Sequence, residues 1–392
     1  MKLHMSRMLF DLQLMMLAGI IVFQVLGKAD LAGDFFTLTF FLTVLLWLNH
    51  ASRRIDRKDE LVLAIMALSC VSVCANALTS GTAVSVSYFK KLLMFWTTLL
   101  FFAGMEAYPT DCRDRKTVFR WSSLLTGFLI VMYLLRRDEM YTINGIVTIY
   151  LTFGFTNPNL TAVFLASLCM LELLQGAAEQ KLKRWWHCLL AGILAVFVCL
   201  TRARNAQLVL FFFLTGFFLA RFLPKKRLCV SSLVAVLLSG APLLFAAGYL
   251  LLISSPWVGE TFSFLVGEGK GLDSREGIWS FAVNAFANSP LVGAYSEISG
   301  GSGASQMHNS HLDLLASYGV PVLVLTCVLL GRILYGQGNG GRLHFLCQVG
   351  FGAMLLSGLG EAMLFSGGMG ICLYAGMLQA LTRFDFAREE AP

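Results

Sequence analysis

The sequence predicts an all-α polytopic membrane protein with about twelve transmembrane helices and one large external loop that contains a short helix. Three observations predict this. The composition is 57% hydrophobic and only 14% charged, with a mean hydropathy of +0.71, too apolar for a chain solvated by water alone. Apolar runs approaching the roughly 20 residues that cross a bilayer recur from end to end. The Lys and Arg residues gather in alternate connections, as cytoplasmic loops require.

The spans read, in order, 8–27, 35–50, 61–79, 88–107, 121–135, 159–178, 187–201, 205–222, 228–253, 312–334, 343–360 and 361–382. Those at 121–135 and 187–201 are short, so they tilt or borrow flanking residues. With the N-terminus inside, the inner connections carry Arg53, Arg54, Arg57 and Lys58, then Arg113, Arg115, Lys116 and Arg120, then Lys181, Lys183 and Arg184, then Lys225, Lys226 and Arg227. Both termini are then cytoplasmic. The +7 net charge reflects this topology and attraction to anionic lipid, not nucleic-acid binding. Met1 to Arg7 precede an apolar run without a small-residue cleavage pattern, which reads as a retained anchor. Cysteines lie almost wholly in spans and show neither a disulfide framework nor zinc spacing.

No repeat or low-complexity linker divides the chain, so residues 1–392 read as one membrane domain. The external loop 254–311, between spans nine and ten, is its largest polar excursion, and long loops in compact proteins tend to be functional or disordered. Within it, "LDSREGIWSFAVNAFANSPLVG" reads as a short helix, with Asp273 and Glu276 at its start and Asn288, Ser289 and Pro290 at its end. Ile278, Phe281, Ala282, Ala285 and Phe286 give it an apolar face. Arg275 falls on the side of Trp279 and Ala282 and in the first turn, where the helix dipole disfavours a cation. An anion bound there satisfies both the guanidinium and the free N–H groups; snorkelling to lipid phosphate or pairing with Glu276 or Glu268 is the alternative.

Two further sites fall on the same side of the membrane. "TRARNAQ" (201–207) ends span seven and brings Arg202 and Arg204, whose charge and paired donors suit a diphosphate, although cations also suit a helix C-terminus structurally. "MHNSHLD" (307–313) enters span ten. Asn309 or Ser310 caps it with Asp313 completing the pattern, and the helix N-terminus helps to keep the His308 imidazole neutral and able to accept a proton. His311 competes for that role from within the first turn, and a capping histidine without chemistry is the plain alternative. Asn159 opens span six, where it reads as a cap, and Glu361 lies at the outer turn before span twelve, where it satisfies a helix N-terminus or pairs with an arginine. The outer segments contain no Asp-x-Asp pair, no His-Glu-x-x-His and no clustered carboxylates for a metal, and the chain has no phosphate-binding loop of the Gly-x-x-x-x-Gly-Lys-Ser/Thr type. Neither a metal nor a cofactor is expected.

"PNLTA" (158–162), "TRARNA" (201–206), "SREGIWSFAVNAFANSPLVGAY" (274–295) and "HNSHLDLLASYGVPVLVL" (308–325) together resemble the bacterial O-antigen ligase and polysaccharide polymerase family. The likeness covers mainly residues 150–330. It implies an inverting, metal-independent glycosyltransferase of the inner membrane that transfers glycan from an undecaprenyl-diphosphate carrier at the external face. The acceptor is another glycan, a lipid or a protein, and polysaccharide-assembly proteins are possible partners. Arg204 matches the arginine of a Ser-Arg-Gly-like motif, with Ala203 and Asn205 in place of serine and glycine, and Arg202 is the runner-up. Arg275 matches the loop arginine and His308 the histidine of a His-Asn motif. The resemblance thus makes His308, Arg275 and Arg204 catalytic, with Arg202, Asn309 and Glu361 added as substrate-binding residues. A transporter or lipid-linked glycan flippase is the competing reading. It calls for ionisable residues in mid-span, and Asp11 and Glu172 are the two that fit.

Overall fold

A computed structural model describes residues 2–51, 55, 57–80, 86–104, 112–135, 141–143, 146–148, 158–178, 181–223, 230–253, 273–294, 307–335, 341–362, 364–365 and 381. Lipid offers no partner to a backbone N–H or C=O, so apolar runs of this length close their hydrogen bonds within themselves as helices. They form α1 (Lys2–Val25), α2 (Ala29–Ala51), α3 (Arg57–Ser80), α4 (Val86–Gly104), α5 (Cys112–Leu135), α6 (Pro158–Ala178), α7 (Lys181–Leu200), α8 (Arg204–Phe222), α9 (Ser232–Ile253), α10 (Asp273–Asn288), α11 (Ser310–Tyr335) and α12 (Gly341–Leu356), with a 3-10 turn at Ser357–Leu359. Between α5 and α6 lies a small antiparallel hairpin, β1 (Tyr141–Ile143) and β2 (Ile146–Thr148), which the hydropathy pattern does not announce.

Among the described residues nine helices are long and apolar enough to cross a membrane. The first eleven expected spans each coincide with a helix, and the two short ones borrow their flanks: α5 begins at Cys112 and α7 at Lys181. The twelfth, 361–382, lies almost wholly outside the described residues. In α6 and in α12 with its 3-10 turn, 78% of the membrane-length stretch is buried, against 28% in α3, α8 and α9. Those two helices are therefore interior, flanked by α7, α8 and α9, and their ends meet at the candidate site.

The span expected at 312–334 is present as α11, sharply bent within its length. At Gly319 the backbone adopts φ 80° and ψ −179° inside α11, a region open essentially to glycine alone. A Cβ there would meet the Leu291 carbonyl oxygen at 2.4 Å. His311 and Gly331 both lie against Ser239 of α9, yet twenty residues of straight helix would separate them by about 30 Å. The chain therefore doubles back at Gly319, giving a short arm, 310–318, and a long arm, 320–335. Carbonyls freed at the break find donors: Tyr318 O accepts from Ser72 Oγ at 2.9 Å, Ser317 O from Tyr88 Oη at 3.1 Å and Ala316 O from Ala294 N at 2.8 Å. The Val320 N–H donates to Pro290 O and the Asn76 amide to Val292 O. The segment following α10 is thus stitched to the elbow of α11, with Gly293 pressed on Ala316.

Candidate functional site

The site is built from the entrance to α11. Asn309 is its cap: Oδ1 accepts the N–H groups of His311 and Leu312 at 3.1 and 3.0 Å, which satisfies two orphan donors of the first turn. The expectation left Asn309 and Ser310 as alternatives, and Ser310 does different work. Its hydroxyl donates to Glu361 O and accepts from Leu364 N. The Asn309 amide reaches the carbonyls of Pro242 and Leu359 at 2.8 and 3.2 Å. Asn309 is fully buried, and its polar atoms are committed within the protein, not presented to a substrate.

Pro242 explains part of this arrangement. A proline within α9 removes one helical donor and loosens the ladder around it. Two carbonyls of this stretch, those of Ser239 and Pro242, accept side-chain donors from the α11 entrance: His311 Nε2 at 2.6 Å and Asn309 Nδ2. His311 is completely buried. It is a tie between α9 and α11, and the geometry removes it from competition with His308 as an accessible base.

His308 has φ 48°, a left-handed conformation that costs a non-glycine residue about 1–2 kcal/mol. Neighbours hold it there. Trp279 Nε1 of α10 donates to Met307 O at 2.8 Å, and the Met307 N–H reaches Asp313 Oδ1 at 3.4 Å. Asp313 is itself paired with Lys91 of α4 at 3.3 Å. The imidazole is about one-third exposed, and its Nδ1 lies 3.0 Å from Glu361 Oε2, whose side chain is almost wholly buried. The other carboxylate oxygen, Oε1, accepts from Asn159 Nδ2 of α6 at 2.6 Å. Since a carboxylate only accepts, Nδ1 carries a proton in this pair, and in the neutral imidazole the lone pair is then on Nε2.

Glu361 pairs with a histidine, a partner the sequence reading did not foresee. The stretch leading to Glu361 is held from two segments, because besides the bonds from Asn309 and Ser310, Asn205 Nδ2 of α8 donates to Ser357 O at 2.6 Å. That bond brings the start of α8 to the same end of the bundle. Arg204 is exposed there, one residue before Asn205, and Arg202 is exposed in the preceding turn at φ 56°. Among the described residues neither guanidinium has a partner, and Arg202 and His308 are the two non-glycine residues with positive φ. Strained residues of this kind cluster at functional sites.

Arg275 falls in the first turn of α10, and its side chain lies outside the described residues. The helix itself docks on α9 through Trp279, which is fully buried against Phe245 and Tyr249. The sequence placed Trp279 on the apolar face beside Arg275, and its indole bond to Met307 had no signal in the pattern. Asn159, expected as a cap, and Lys91 find partners 202 and 222 residues away in sequence, beyond any local pattern.

Comparison with known families matches residues 189–327 to the family described as O-antigen ligase. The match takes in the 201–206, 274–295 and 308–325 motifs and stops short of Asn159 and Glu361. Comparison with curated proteins found no match.

Proposed function

We propose, starting from a membrane protein whose residues 189–327 match the family described as O-antigen ligase, that the chain transfers glycan from an undecaprenyl-diphosphate carrier to an acceptor hydroxyl. The reaction takes place at the external face of the bacterial inner membrane, as a polysaccharide polymerase or a ligase. The observation that carries this reading is the His308–Glu361 pair, in which Nδ1 faces the carboxylate and Nε2 is left to take a proton, with Arg204 exposed, and without a partner among the described residues, at the same end of the bundle.

In the proposed step the acceptor O–H gives its proton to His308 Nε2 while its oxygen attacks the anomeric carbon. The bond from that carbon to the carrier's diphosphate oxygen breaks, and undecaprenyl diphosphate leaves with the electron pair. Attack from the face opposite the leaving group inverts the anomeric centre. Arg204 and Arg275, with Arg202 beside them, hold the charge that grows on the diphosphate. Glu361 steadies the imidazolium, as the buried acid of a hydrolytic triad does. Asn309 contributes by fixing the backbone that presents His308. A diphosphate is already a good leaving group, so the reaction needs no metal or cofactor in this reading. The carrier's tail enters between helices from the lipid.

A transporter would need ionisable groups free to act in mid-membrane. Buried Glu172 is instead held by His187 Nδ1 at 2.7 Å and Thr126 Oγ1 at 3.4 Å, tying α6 to α7 and α5, which favours the enzyme reading. The experiment is incubation of reconstituted protein with native undecaprenyl-diphosphate glycan and EDTA, followed by mass spectrometry. Longer carrier-linked chains identify a polymerase and glycan on another acceptor a ligase. Unchanged carrier and glycan, with label crossing the membrane, would replace the enzyme with a transporter.

A further inference from the structure

We infer that Asn159 is a positioning residue for the His308–Glu361 pair: its amide, delivered from the first turn of α6, fixes which carboxylate oxygen faces the imidazole. The inference rests on the reading of His308 as the base. Asn159 Nδ2 lies 2.6 Å from Glu361 Oε1 while Oε2 meets His308 Nδ1 at 3.0 Å, so one carboxylate is gripped at both oxygens by groups from two distant segments. Glu361 is 2% exposed, and a buried carboxylate without donors on both oxygens would rotate or take up a proton. Either change would release Nδ1–H and free the imidazole to adopt its other tautomer, with the lone pair turned inward. Among the described residues, the titratable groups near Asn159 include Glu361 in contact and His308 beyond it, while Arg204 opens the neighbouring α8. Asn159 belongs to the "PNLTA" stretch, outside the segment matched to the O-antigen ligase family. A capping role alone would leave unexplained why the amide points across the bundle to a residue 202 positions away.

The test exploits the fact that Ser and Asp suit a first helical turn as well as Asn does, yet Ser is too short to reach Glu361. Full-length wild type, Asn159→Ser and Asn159→Asp are reconstituted, and insertion and thermal stability are checked. His308 is labelled with diethyl pyrocarbonate, which acylates neutral imidazole nitrogen, and the labelled peptide is quantified by mass spectrometry. Asn159→Ser is expected to slow His308 labelling by about threefold or more, because the tautomer is no longer fixed. It should also lower kcat by about tenfold at unchanged KM for undecaprenyl-diphosphate glycan. Asn159→Asp sets two carboxylates in contact, which share one proton; protonated Asp donates as the amide did, so the transfer rate falls as pH rises and that proton is lost. Labelling of His308 at the wild-type rate in Asn159→Ser overturns the inference, whatever the activity. If the wild type transfers no glycan, the functional reading fails and labelling still decides the role of Asn159.

Discussion

Glu361 Oε2 stands 3.0 Å from His308 Nδ1 across 53 residues of chain, a buried carboxylate against a partly exposed imidazole. The pair joins the entrance of α11 to the segment beyond α12, and in the proposed reaction it directs the proton to Nε2. Glu361→Gln preserves shape and removes the charge that stabilises imidazolium. Glycan transfer is expected to fall by roughly 10²-fold or more in that variant and by roughly 10²–10⁴-fold in His308→Gln. The double variant should lose little beyond His308→Gln, since both act through one imidazole. Additive losses in a reconstituted assay would separate the two residues.

His311 lies three positions from His308 and has the opposite fate. His311→Leu leaves the Ser239 carbonyl without its donor, at a cost of about 1–3 kcal/mol. Thermal stability should drop, while the fraction that remains folded transfers glycan at close to the wild-type rate. A stable His311→Leu protein without activity would return this residue to the chemistry.

Gly319 is the elbow of α11. Gly319→Ala combines a φ/ψ region worth about 1–3 kcal/mol of strain with collision against the Leu291 backbone. Poor insertion or a steep fall in melting temperature is expected. Gly248→Ala, in α9 with open space at its Cβ position, is the control and should be neutral or slightly stabilising.

Trp279 links the helix carrying Arg275 to the residue preceding His308. Trp279→Phe keeps an aromatic ring against Phe245 and Tyr249 but deletes the bond to Met307 O. Stability should fall by about 1 kcal/mol. Because His308 loses one support of its strained backbone, kcat should fall further than that loss explains, which thermal melts and steady-state kinetics on the same preparation would reveal.

Local chemistry accounts for what the sequence determined by itself. Hydropathy and charge alternation located eleven helices because a lipid-facing backbone must satisfy itself within each segment. Capping residues bounded α10 at Asp273 and Asn288, since its terminal groups need nearby partners. The motifs drew attention to His308, Arg204 and Arg275, and to a resemblance that the match over 189–327 meets, and the turn before span twelve drew it to Glu361.

Only the tertiary structure decided how those residues work. It turned α11 back at Gly319, made Asn309 the cap and buried His311 against Ser239. It also joined Asn159, Glu361 and His308. Each of these depends on a carbonyl or carboxylate supplied by a segment far along the chain. Periodicity reports which face of a helix is apolar, but a polar side chain on that face chooses its partner only when the helices pack.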